Sequence, residues 1–171
     1  LLSSLGESIT NGINTFNSGI HTCRETLELT RNVLQDAIEQ SKLDLINTNL
    51  RVYPIGRLDM YTEGLLLLTN DGNFANEMMH PKNKIEKTYI AKVSGNITNE
   101  KIEMLKRGVD IGGYVTKPAK VRKILDKNEL EIVISEGKNR QVRKMCNAVG
   151  LNVINLKRTK IGNLNLGKLK L

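Results

Sequence analysis

The 171-residue chain is long enough for one domain or two small ones around a real core, and 39% hydrophobic with 26% charged residues excludes a disordered or fibrous chain. No apolar run approaches the ~20 residues of a membrane span, and the opening Leu-Leu-Ser-Ser-Leu lacks the basic lead and long apolar stretch of a signal peptide. The net charge of +8 fits either a nucleic acid partner or a merely solubilising surface, and the total alone leaves both open.

Residues 1–20 are rich in Ser, Asn, Gly and Thr with weak periodicity, which predicts loose loops. From Thr22 to Leu45 the pattern is helical, with Leu27, Leu34, Ala37, Ile38 and Leu45 along one face. This helix could pack on the body of the protein or bind a partner. Residues 1–45 are therefore read as a separate N-terminal segment, loose and then helical. Cys23 and Cys146 lie far apart, and neither has the close Cys or His partner that a zinc site needs. Two free thiols in a cytoplasmic protein are expected.

From Arg51 onward the signals are short strands and short helices. Leu65–Thr69 reads as a buried strand ended by the turn Asn70-Asp71-Gly72. Asn73–His80 reads as a helix stopped by Pro81. Thr88–Ser94 alternates, placing Tyr89, Ala91 and Val93 on one face of a strand. Glu100–Arg107 is helical, capped by Thr98 or Asn99 and stopped by Gly108. Val121–Leu125 and Glu129–Ser135 form a hairpin around Asp126-Lys127-Asn128. Asn139–Val149 is a helix with Val142, Met145, Cys146 and Val149 as its buried stripe, Asn139 as N-cap and Gly150 at its end. Leu151–Arg158 is a strand. Strands and helices that do not strictly alternate argue an α+β fold, a mainly antiparallel mixed sheet with flanking helices.

The charge is unevenly spread. Residues 1–50 hold three basic against six acidic side chains, while after Glu136 there are nine Lys or Arg and no acid. Within Tyr53-Pro-Ile-Gly-Arg-Leu-Asp59, Gly56 and the later Gly64 bracket a loop before a buried strand. On physical grounds alone, Arg57 and Asp59 read as an ion pair closing that loop, because a carboxylate beside apolar structure needs an opposite charge.

Gly56-Arg-Leu-Asp59, followed by Thr62-Glu-Gly-Leu-Leu-Leu-Leu-Thr-Asn-Asp-Gly72, resembles the signature of RsuA/RluB-type pseudouridine synthases, which modify ribosomal RNA. Three later blocks resemble the same family in the same order: Lys87-Thr-Tyr89, Glu136-Gly-Lys-Asn-Arg-Gln-Val-Arg-Lys-Met145, and Leu156-Lys-Arg-Thr-Lys-Ile-Gly-Asn-Leu164. The likeness covers roughly residues 45–170. The front departs from it, lacking the small basic RNA-binding domain and the Lys-Pro-x-Gly element usual there.

The resemblance implies a catalytic domain over 46–171 that isomerises uridine to pseudouridine in RNA, ribosomal RNA above all. It implies Asp59 as the nucleophile, Tyr89 stacking on the base and helping to remove a proton, and Arg143 pairing with the catalytic carboxylate. Arg57, Arg140, Lys144 and Arg158 are the expected substrate contacts, while Ile161 and Leu164 are expected to close the core. No metal and no other cofactor is implied. A monomer acting on RNA away from membranes is expected. A non-catalytic RNA-binding protein retaining the fold is the alternative.

Overall fold

The computed structural model describes residues 49–125 and 127–167, together with Asn14, Asn17 and Ser18. The helix expected over 22–45, and Cys23 within it, lie outside the described residues. The three described positions of the first stretch are helical and exposed rather than looped. Everything that follows belongs to the compact unit that begins at Leu50.

Three short strands come first: β1 (Tyr53–Pro54), β2 (Thr62–Gly64) and β3 (Leu68–Thr69). Of the single strand expected over Leu65–Thr69, only Leu68–Thr69 forms. The strand is shortened because Gly64, at φ +110°, turns the chain away from one partner and towards another. Up to Gly64 it runs parallel to β7, with Gly64 opposite Arg158. Beyond it, Leu68 and Thr69 pair antiparallel with Pro54 and Tyr53.

Helix α1 (Gly72–Met79) begins where Asp71 accepts hydrogen bonds from the Asn73 and Phe74 amides, at 2.8 and 3.1 Å. Pro81 opens a single 3-10 turn to Asn83. Strand β4 (Lys87–Ser94) leads to α2 (Asn99–Arg107), capped by the Thr98 hydroxyl and ended at Gly108. Strands β5 (Lys120–Ile124) and β6 (Glu129–Ile134) form the expected hairpin. Helix α3 (Gln141–Ala148) is followed by β7 (Asn152–Ile161), which ends three residues later than expected, and by β8 (Leu164–Asn165).

The main sheet has the order β2-β7-β4-β6-β5, with β8 on β7. Only β2–β7 is parallel, so the sheet is mixed and mainly antiparallel, in an α+β fold. One face carries the core: Ala91 and Val93 of β4, Leu130 and Ile132 of β6, Val153 and Leu156 of β7, covered by Leu105 of α2 and by Val142, Met145 and Cys146 of α3. Ile161 is buried as expected, but Leu164 is exposed at the tail of the sheet and closes nothing. The α3 start also differs from expectation. Arg140, not Asn139, is the first flanking residue, in a left-handed conformation at φ 51° without a side-chain cap. Gln141 takes over the closure, its amide bonding the Lys138 carbonyl and its side chain accepting from the Lys138 amide.

Candidate active site

The covered face of the sheet opens at one end, where Tyr89, Leu156, Arg158 and Ile161 meet the loops after β1, α1 and β6 around a cleft of about 410 Å3. On its floor, β4 and β7 shift register between Thr88 and Tyr89. Thr88 faces Lys160 while Tyr89 faces Arg158, so Thr159 is left as the extra residue. Such a bulge re-aims side chains, and here it sets Tyr89 beside Arg158 on the cleft side. Tyr89 is 9% exposed and belongs to the core cluster as well as to the cleft. Tyr89 therefore packs in the core and lines the cleft at once.

Asp59 stands in the cleft wall, on the loop between β1 and β2. The loop turns there, the Thr62 amide bonding the Asp59 carbonyl at 2.9 Å and the Tyr61 amide bonding Asp59 Oδ1 at 3.1 Å. The other oxygen, Oδ2, accepts from Arg143 Nε at 3.3 Å. The two side chains are 23% and 12% exposed, so this pair is shielded from much of the solvent. Each nitrogen of the Arg143 guanidinium makes a bond: Nη1 donates to the Val153 carbonyl at 3.3 Å and Nη2 to the Tyr61 carbonyl. The loop-closing Arg57–Asp59 pair does not form. Asp59 takes a partner 84 positions away, and Arg57 is exposed on the cleft rim. The reason is geometric: α3 delivers Arg143 behind the loop, where its fork reaches both a carboxylate and the backbone.

The other expected site residues divide. Arg57, Arg140 and Arg158 line the cleft with Asp59 and Tyr89. Lys144 is exposed on α3 and does not line it. Arg158 is 2% exposed, with Nε on the Leu65 carbonyl at 2.8 Å and Nη1 on the Arg57 carbonyl at 3.4 Å. Lys87 lines the same floor. Burial, and then the nearby Arg158 charge, push its ammonium below the usual lysine range.

Sequence reasoning missed the far wall. Glu136 gathers the Tyr114 hydroxyl at 2.8 Å, the Lys117 amide at 3.0 Å and the Gln141 side-chain amide. Lys138 Nζ lies 4.3 Å from the Tyr114 ring centre. The Glu136 hydrogen bond raises the Tyr114 pKa above its usual value. One signal was available: Glu136 is the last acid before an all-basic tail. Among the described residues no group of three or more His, Cys, Asp or Glu could hold a metal ion, and no helix is long and apolar enough to cross a membrane.

The family model for RNA pseudouridylate synthases matches residues 19–148. The chain belongs to this family. The match begins at residue 19, inside the stretch that the motifs left out. Ribosomal large subunit pseudouridine synthase B of Bacillus subtilis is 51% identical over 125 residues, covering 70% of this chain and 51% of that protein. The dual-specificity RNA pseudouridine synthase RluF of Escherichia coli is 39% identical over 137 residues, 80% of this chain and 47% of that one. A crystal structure of a pseudouridylate synthase superposes with a TM-score of 0.64 at 36% identity, covering 68% of this chain and 51% of its own. This chain thus spans about half the length of the curated relatives it matches. The relatives bear out the RsuA/RluB-type resemblance read from the motifs, and the solved structure bears out the fold.

Proposed function

We propose that this chain isomerises uridine to pseudouridine in RNA, with ribosomal RNA as substrate and Asp59 as nucleophile. The observation that carries the reading is the Asp59 carboxylate in the cleft wall, held at 3.3 Å by Arg143, with Tyr89 on the floor of the same cleft. The family and the name of the Bacillus subtilis relative support the substrate class.

A uridine inside a helix is out of reach of such a cleft, so the target nucleotide leaves its stack and enters it. Tyr89 offers a ring face to the uracil. Asp59 attacks the ribose or the base, the C1′–N1 bond breaks, the uracil turns, a C1′–C5 bond forms, and the bond to Asp59 breaks to return the free carboxylate. The C5 proton is lost and N1 gains one, so atoms balance as an isomerisation. Tyr89 assists removal of the C5 proton. Arg143 keeps the carboxylate aimed, while exposed Arg57 and Arg140 meet phosphates at the rim. Lys144, outside the cleft, extends the same basic surface.

The test is tritium release from ribosomal RNA labelled at uridine C5. Wild-type protein releases tritium, and Asp59→Ala does not. RNA binding without release from the RNA of either ribosomal subunit would instead support a binding protein that keeps the fold.

A further inference from the structure

Arg158 was expected to touch substrate, yet its surroundings describe another task. It is 2% exposed, and its Nη2 has no partner among the described residues while lying out of reach of solvent. An RNA oxygen would have to reach an atom that water does not. What the side chain does reach is backbone: the carbonyls of Arg57 and Leu65, which stand on either side of Asp59. The backbone of Arg158 adds to this. Its carbonyl accepts from the Leu65 amide at 2.8 Å, so Leu65 is held by both its N–H and its C=O. Gly64 lies opposite Arg158 in the β2–β7 register, and a Cβ at Gly64 would collide with the Arg158 carbonyl oxygen. No carboxylate pairs with Arg158 among the described residues; these two carbonyls are its partners.

We infer that Arg158 is a positioning residue: it fastens both ends of the Asp59 loop to β7, while Arg143 fastens the carboxylate itself. The loop is then held from two sides by two arginines of different elements. Arg143, from α3, sets where Asp59 points. Arg158, from β7, sets where the loop sits above the sheet floor and so how far Asp59 stands from a base on Tyr89. Displacements of about 1 Å in such an arrangement can cost on the order of 100-fold in rate. The inference rests on Asp59 being the nucleophile, but the fastening itself does not.

The experiment compares wild type with Arg158→Lys, Arg158→Met and Gly64→Ala. Arg158→Lys keeps the charge and loses the two-pronged reach. Gly64→Ala pushes the same loop off β7 without touching the guanidinium. Three quantities are read: kcat for tritium release from C5-labelled ribosomal RNA, affinity for the same RNA by filter binding, and amide hydrogen exchange over residues 57–65. Arg158→Lys and Gly64→Ala are expected to lower kcat by ~100-fold with RNA affinity unchanged. Exchange over 57–65 speeds up, and β4 and β6 stay as protected as in wild type. If Arg158→Met fails to fold, the other two variants carry the comparison. Weaker RNA binding with unchanged kcat in Arg158→Lys would overturn the inference and make Arg158 a substrate contact. Unchanged exchange over 57–65 would overturn it as well. That last readout needs no catalysis, so an inactive wild type would count against the proposed function and leave the fastening separately decided.

Discussion

On the floor of the cleft, Tyr89 and Arg158 are 9% and 2% exposed, and the guanidinium spends its hydrogen bonds on the chain itself. On the rim, Arg57, Lys117, Lys138 and Arg140 stand exposed, and none of the four makes an ion pair among the described residues. The same residue type therefore serves two purposes. A buried arginine tied to carbonyls fixes geometry, which acts on the rate of a bound substrate. An exposed arginine without a partner keeps its charge available for phosphate, which acts on affinity and its salt dependence.

The largest effect expected from breaking this contrast is at Arg143. Arg143→Met leaves the Asp59 carboxylate and the Tyr61 and Val153 carbonyls without their donor. The pair is mostly shielded, so stability should fall by about 3 kcal/mol in chemical denaturation. Tritium release should fall by ~100-fold or more at saturating RNA. A wild-type rate in folded Arg143→Met would show that Asp59 in the cleft wall does not need its clamp.

The rim should answer differently. Arg57→Gln and Arg140→Gln are each expected to weaken RNA binding and to lower the slope of log affinity against log salt by ~1, with little change in kcat at saturation. Lys144→Gln, outside the cleft, should change affinity less. A fall in kcat for Arg57→Gln without a change in salt slope would move that residue from rim to floor.

The smallest effect concerns the packed side of α3. Burial pushes the Cys146 thiol up to about 12, against a slight downward pull from Arg143. The folded pKa lies above the unfolded one, so the folded state favours the neutral thiol. That contribution to stability is complete below the ordinary value of 9.0 and is lost as pH rises towards about 12. Denaturation midpoints should therefore fall more steeply between those pH values in wild type than in Cys146→Ala. Near neutral pH, Cys146 should resist iodoacetamide until the chain is unfolded. Rapid alkylation of native Cys146 would contradict the packing of α3 on the sheet.

Much of this fold could be read from period and punctuation. The alternation of Tyr89, Ala91 and Val93 and the stripe of Val142, Met145, Cys146 and Val149 are local patterns, and all seven residues are buried. Thr98 and Gly108 marked the ends of α2 by their own chemistry. The shortening of the Leu65–Thr69 strand to Leu68–Thr69 could not be read that way. It depends on Gly64 meeting the Arg158 backbone, 94 residues on. Likewise, Arg57 is near Asp59 in sequence, but the partner of Asp59 is Arg143. The start of α3 was misplaced by one residue because Asn139 suits a cap, whereas Gln141 and Arg140 shape the turn. The site residues came from motifs rather than from local physics. Their division into floor and rim came only from burial and bonding in three dimensions.

Under the proposed function, the Asp59 carboxylate performs the chemistry rather than merely closing its loop. Asp59→Asn tests it, since the amide nearly preserves size and its one oxygen can still accept either the Tyr61 amide or the Arg143 hydrogen bond, which in Asp59 go to separate oxygens. The measurement is tritium release from C5-labelled ribosomal RNA in a single turnover, with RNA binding followed in the same samples. Bound RNA with no release above background is the expected result. Release by Asp59→Asn at the wild-type rate would contradict it.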